Sequence, residues 1–380
     1  MKVLLLSAYD AASHAYWREG LYQAFPEWEW QTLALPPRHF SWRIRGNPIS
    51  WYSEEALRRD YDLVIATSMV DLATLKGLHP QLAQLPCWLY FHENQFAYPD
   101  SVSRKKAHVI EPQMVQVYSA LAAECCIFNS AYNRDSFFAG AASLLERFPD
   151  KVPGGIFEQL QQIKGQSAII PVCLNNLDEY VVANHRVNCT DHVKDSGHVY
   201  APGRVYDIVW NHRWEYDKGP ERLLALLEKL DPRLTLRCHI VGESFRHVPP
   251  VFEQIKALLH ARGWLGQWGF LESRDDYLEV LASSDIVLST SEHDFQGLSV
   301  LEGIAHGCIP LLPNRLVYPA YVDEVFLYPS DKNIEEEAKA AAHCLSTQLV
   351  NLPAMRDALP SLKHFSLESC RKAYRELLIS

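Results

Sequence analysis

The sequence predicts an α/β protein made of two Rossmann-like domains facing a cleft. Three observations carry that expectation. Short apolar runs alternate with helical patterns along the chain, as they do in doubly wound sheets. The runs fall into two series, split by a polar stretch from about Asn175 to Arg204. A length of 380 residues suits two domains at roughly 150 residues each.

The first strands are expected at Val3–Ala8, Leu63–Thr67, Trp88–Phe91, Cys126–Asn129 and Ile169–Val172. The second series runs Ile208–Asn211, Arg237–Val241, Ile286–Thr290 and Cys308–Leu312. Continuous apolar runs of this length suit strands covered on both faces of a parallel sheet. Helices fill the intervals. In Glu221–Leu230, for example, Leu223, Leu224, Leu227 and Leu230 share a face behind Pro220, which suits a first helical turn. The stretch with Asn175, Asn176, Asn184, Asn188, Gly197 and Pro202 reads as an interdomain linker. Residues Ser366–Ile379 read as a helix that can pack back across the domain boundary. The expected division is 1–175, a linker 176–204, 205–365, and a terminal helix 366–380. Ligands of such sheets gather at the carboxyl ends of the strands.

A net charge of −10 excludes a globally basic nucleic-acid coat protein but not a local basic patch. No apolar run reaches the roughly 20 residues that span a bilayer, so no membrane role is expected. The opening MKVLLLS is too short for a signal-peptide core and reads as a first strand. Nine cysteines with no CxxC spacing read as buried free thiols, among them Cys87, Cys125, Cys126, Cys238 and Cys308, in a reducing cytoplasm. His185, Cys189, His192 and His198 crowd the linker without a standard zinc spacing, and no metal is expected.

The segment SEHDFQGLSVLEGIAHGCIP (291–310) is the most informative. Gly297 lies before a helical pattern that begins near Leu298, and such a turn leaves the amides of Gly297, Leu298 and Ser299 able to meet a phosphate. Asp294 falls on the loop and Glu302 inside the helix, each able to accept from hydroxyls. Two acceptors around free N–H groups suit a molecule with sugars on both sides of a diphosphate. The plainer alternative is a capped helix with surface carboxylates. In WNHRWEYDKGPE (210–221), Arg213 and Lys218 precede a helix start, where cations oppose the macrodipole unless an anion sits between them. The alternative is a solvated loop with Glu215 or Asp217 as partners. His92 and Glu93, in LYFHENQFAYP, follow a buried strand, where a histidine can orient or protonate near a reacting oxygen. Ser13 and His14 fall in the first βα loop. Arg38, Trp42, Arg43 and Arg45 group with Phe40 and Trp51 in a basic aromatic patch that suits single-stranded RNA, or cation–π surface packing instead. The run Arg104–Lys106 reads as a solvated face.

The Arg-x4-Lys loop, GFLESRDDYLEVLASSDIVLST and the D-x7-E pair resemble the donor half of retaining family-4 glycosyltransferases of the GT-B fold. HENQ, CCIFNSAYNRDSFF, NHRW and LVYP extend the resemblance along nearly the whole chain, to the tRNA-queuosine mannosyltransferase family. That resemblance implies mannose transfer from GDP-mannose to queuosine in the anticodon of tRNA-Asp, without a metal or resident cofactor. It also implies that Arg213 and Lys218 hold the diphosphate, Glu302 the ribose and Asp294 the transferred sugar, with Ser13 and His14 near the diphosphate. The chain departs from the family at Ala12, Asp294 and Gln296, where Gly, Glu and an aromatic residue are usual. Ala12 is expected to tighten the first loop, since Ala is costly at positive φ. Two other functions share parts of the pattern. One is a glycosyltransferase of lipid-linked or cell-envelope glycans; the other is a non-enzymatic RNA- or nucleotide-binding protein.

Overall fold

A computed structural model describes residues 1–98, 110–174, 204–244 and 248–379. The chain divides into two compact units, Met1–Asn175 together with Leu367–Ser380, and Asn176–Ser366. The basic run 104–106, most of the polar stretch and its His/Cys cluster lie outside the described residues.

The first unit is a six-stranded parallel sheet. Its elements are β1 (Lys2–Ser7), α1 (Ala12–Ala24), β2 (Glu29–Ala34), α2 (Phe40–Ser50), β3 (Leu63–Thr67), α3 (Leu72–Leu78), β4 (Cys87–Phe91), α4 (Ile110–Leu121), β5 (Cys125–Phe128), α5 (Ala131–Glu146), α6 (Gly154–Gln166) and β6 (Ala168–Ile169). Strand order is β2-β1-β3-β4-β5-β6. The direction of progression therefore reverses between β1 and β3, where ligands of such sheets bind. Leu4, Leu6, Val64, Ala66, Leu89, Phe91 and Phe128 share one core under the helices.

The second unit repeats the architecture with β7 (Tyr206–Trp210), α7 (Pro220–Lys229), β8 (Leu236–Val241), α8 (Val251–Ala261), β9 (Leu265–Gly269), α9 (Arg274–Ser283), β10 (Ile286–Leu288), α10 (Leu298–Ala305), β11 (Ile309–Pro313), β12 (Leu327–Tyr328), α11 (Ile334–Val350) and α12 (Leu352–Asp357). Its order, β12-β11-β10-β7-β8-β9, puts the reversal between β7 and β10. The last helix, α13 (Leu367–Ile379), belongs to the first unit. There Tyr374 Oη accepts from Trp17 Nε1 of α1 at 3.1 Å, and Arg371 and Arg375 both reach Glu27.

Several local expectations change. In α7 the buried face is Leu223, Leu226 and Leu227, and Leu224 is only half-buried, because the helix also packs its Ala225 side inward. Cys125 is half-buried rather than buried. Ala12 opens α1 as its first helical residue, so no positive φ arises there and the first loop is shorter than expected. Among the described residues, no helix is long and apolar enough to cross a membrane.

Candidate active site

In the second unit, the loops after β7 and β10 meet at the sheet reversal. Gly219 ends the first loop in the left-handed conformation (φ 65°), and a Cβ there would stand 2.2 Å from the Thr290 carbonyl oxygen. Only glycine lets the two loops approach so closely. Lys218 is thereby buried. Its Nζ donates to the His293 carbonyl at 2.7 Å and lies 3.6 and 3.7 Å from carboxylate oxygens of Asp217 and Asp294. Arg213 stays half-exposed, 3.0 Å from Glu215. Both carboxylates offered as alternative partners, Glu215 and Asp217, are thus beside the two cations.

Asp294 is fixed from three sides. Its Oδ1 accepts the Gly297 amide at 2.8 Å, its Oδ2 accepts the Tyr318 hydroxyl at 3.1 Å, and Lys218 stands behind it. Burial works against its charge, but Lys218 foremost, with the Gly297 amide, outweighs burial and holds its carboxyl below the usual range. Burial likewise opposes the charge of Asp217, and Lys218 foremost overcomes it. Gly297 caps α10 at φ 72°. The expected trio of phosphate-facing amides therefore shifts by one residue. The Gly297 amide is spent on Asp294, and Leu298, Ser299 and Val300 are the first-turn amides that precede any intrahelical acceptor.

Glu302 lies on the same helix, between Arg274 and Tyr277. Arg274 pairs with Oε1, and the Tyr277 hydroxyl donates to Oε2 at 2.9 Å. Each carboxylate oxygen keeps further lone-pair capacity for a hydroxyl. Asn211 ties this side to the helix, donating to the Tyr277 hydroxyl and to the Ser299 carbonyl at 2.9 and 2.7 Å.

In the first unit, Ser13 and His14 occupy the first turn of α1 rather than a loop. Ser13 is exposed and His14 buried. The His14 and His92 rings stack with centroids 4.0 Å apart, and the Trp17 and Tyr90 rings close around His92. Burial pushes His14 down to about 4 against the pull of Asp10. Burial and then His14 hold His92 well below the usual imidazole range. His92 is therefore held in its neutral form, with one ring nitrogen carrying a proton and the other able to accept. The next residues are set by amides. Asn129 Nδ2 donates to the His92 carbonyl at 2.8 Å, Gln116 Oε1 accepts from the Gln95 amide at 2.8 Å, and the Glu93 carbonyl receives Ser68 and Gln116. Glu93 is half-buried in the irregular stretch after β4.

The basic patch is only partly as expected. On α2, Trp42 is 80 % exposed, Arg38 precedes the helix in the open, and Arg43 is half-buried. Trp51 belongs to the core instead, since the C-terminal end of α2 folds it inward. Arg45 pairs with the buried Asp71, so part of its charge is committed within the protein.

Sequence reasoning gave no role to His212, Arg274, Tyr277 or Tyr318. NHRW directly after a buried strand was the available signal for His212. Arg274 and Tyr277 fall in GFLESRDDYLEVLASSDIVLST and Tyr318 in LVYP, but only tertiary packing brings their side chains to the site.

Comparison with known proteins decides the family. Residues 2–174 match the model described as tRNA-queuosine alpha-mannosyltransferase N-terminal, and residues 201–356 match glycosyl transferases group 1. A Drosophila melanogaster protein named tRNA-queuosine alpha-mannosyltransferase is 32% identical over 329 residues, 86% of this chain and 83% of its own. The chain belongs to the tRNA-queuosine alpha-mannosyltransferase family. Like other members of this family, it is a glycosyltransferase. Solved structures share its fold. A sucrose-phosphate synthase from Thermosynechococcus elongatus has a TM-score of 0.64 at 16% identity, covering 100% of this chain and 99% of that one. Anabaena HepE with UDP and glucose has 0.61 at 14%, with the same coverage. The family's two halves are thus two Rossmann-like units of the GT-B class.

Proposed function

We propose that the protein transfers mannose from GDP-mannose to queuosine in the anticodon of tRNA-Asp, in the cytoplasm and with retention of anomeric configuration. The observation that supports this best is the convergence of Lys218 and Asp294 on the glycine-capped start of α10, at the sheet reversal. In this reading Arg213, Lys218 and the first-turn amides hold the diphosphate, Glu302 the ribose and Asp294 the mannose hydroxyls. Preorganised donors matter most where negative charge develops on the leaving phosphate. His92, Glu93, Ser13 and His14 shape the sugar and acceptor side. The queuosine hydroxyl attacks the anomeric carbon from the leaving-group face. The bond to the phosphate oxygen breaks with its electron pair, and that phosphate takes the hydroxyl proton. No resident cofactor takes part. Arg38, Trp42 and Arg43, with the uncommitted part of Arg45, meet the anticodon loop by stacking and cation contacts.

The test is turnover. Purified protein is given queuosine-containing tRNA-Asp and each common nucleotide sugar, and the digested nucleosides are weighed by mass spectrometry. One hexose added to queuosine from GDP-mannose alone is expected. Transfer from a different nucleotide sugar overturns the donor, and transfer only to lipid-linked glycans overturns the acceptor.

A further inference from the structure

His212 lies two residues past the end of β7 and is only 2% exposed. Its backbone is held in place: a Cβ on Gly242 would stand 1.9 Å from the His212 carbonyl oxygen, so the β8 end packs on it. The Trp210 ring abuts the imidazole edge-on, with centroids 5.0 Å apart. Nδ1 lies 3.2 Å from the Ser299 hydroxyl, in the first turn of α10. Nε2 is buried and has no hydrogen-bond partner among the described residues. Only one ring carbon separates the two nitrogens, so Nε2 also stays beside that helix turn. Buried polar atoms of a purely structural histidine are normally satisfied, and an unsatisfied one is costly. Here the histidine sits among Lys218, Asp294, Asp217 and Arg213, beside a helix start that favours anions.

We infer that His212 is a further ligand of the donor diphosphate, donating from Nε2 to a phosphate oxygen. Ser299 donates its hydroxyl proton to Nδ1, which fixes the proton on Nε2. The hydrogen bond strengthens as the glycosyl–phosphate bond breaks and charge grows on the phosphate, and the imidazole proton stays where it is. Burial, then Lys218, pushes His212 down to about 3. The ring is therefore a neutral donor that adds no charge beside Lys218. This inference rests on the diphosphate reading of the α10 terminus and adds to it a residue that fixes the phosphate.

The test compares wild type, His212→Phe, His212→Gln and Arg213→Ala by calorimetric titration with GDP and with UDP. His212→Phe keeps a planar ring without the donor, and is expected to weaken binding about tenfold or more. His212→Gln carries an amide N–H near the Nε2 position and is expected to recover most of the loss. In wild type, long-range proton–nitrogen spectra of the His212 ring are expected to show the Nε2–H form, with its proton moving downfield on adding GDP. An Nδ1–H form in the complex overturns the inference even where a variant fails to fold. Weakening by Arg213→Ala but not by His212→Phe overturns the role of His212 and leaves the diphosphate site standing. Folded wild type that binds neither nucleotide overturns both.

Discussion

Lys218 shows how much one side chain can carry. Its ammonium group is the cation shared by the buried Asp217 and the part-buried Asp294. Replacing it with Met keeps the stem and removes the charge. Asp294 then loses its cation and Asp217 keeps Arg213 at 4.0 Å, and breaking comparable buried pairs costs about 3–5 kcal/mol. Lys218→Met is expected to lower the urea midpoint sharply, and an unchanged midpoint would show that the pair is screened by water. The charge types and spacing of Arg213, Lys218 and Asp294 were readable in the sequence because they lie on two short loops. Their coupling was not, because Gly219 brings those loops together only in the folded sheet.

At the scale of elements, the interior strands were legible and the edges mostly were not: of the edge strands only β6 was expected, as Ile169–Val172, and it lies at Ala168–Ile169. β1, β3, β4, β7, β10 and β11 are buried along nearly their whole length, so each reads as an unbroken apolar run. β2 and β9 are edge strands, partly open to water, and EWQTLA and LGQWG carry no such run. β12 is too short to leave a pattern. Helix α10 depends on its cap. Gly297→Ala forces a side chain to φ 72° and brings a Cβ within 2.8 Å of the Tyr321 hydroxyl. The cost of about 1 kcal/mol in backbone strain falls on the helix start, so nucleoside diphosphate binding is expected to weaken more than global stability. Titration of binding beside a thermal melt separates the two. Helix α2 offers a cleaner test of RNA contact than its ion-paired Arg45. Trp42→Ala removes an exposed ring and is expected to lower tRNA affinity by about 1–3 kcal/mol with no change in melting temperature. Arg38→Ala is expected to reduce the salt dependence of binding by about one unit of slope. Unaltered tRNA binding in both variants would mark the patch as surface packing.

Among the described residues, burial pulls several histidines down, furthest at His14, His92 and His212 and less at His79, His306 and His364. Their folded values lie below the ordinary value of about 6.5. As pH falls below that value, the unfolded chain takes up protons that the folded protein refuses. Stability is then expected to drop by up to ~1.4 kcal/mol per pH unit for each histidine. For His14 the loss is complete near its folded value of about 4, and for His212 near about 3. Asp217 and Asp294 are depressed carboxyls, so their contribution is present above about 3.9 and is lost only in stronger acid. Urea unfolding at pH 7.5 and 5.0 is expected to show a clear loss, with a flatter dependence in His14→Phe. Equal stability at both values would contradict the neutral burial of these rings.

The seating of α13 against α1 has a consequence for synthesis. Trp17 is made before the second unit, but its hydrogen-bond partner Tyr374 leaves the ribosome only after every described strand of that unit. The first sheet can pair its strands early, while the face of α1 around Trp17 and Phe25 stays uncovered until α13 emerges. The half made first is therefore the half completed last, and a chaperone that shields that face during elongation would act on the least protected stage in the life of the protein.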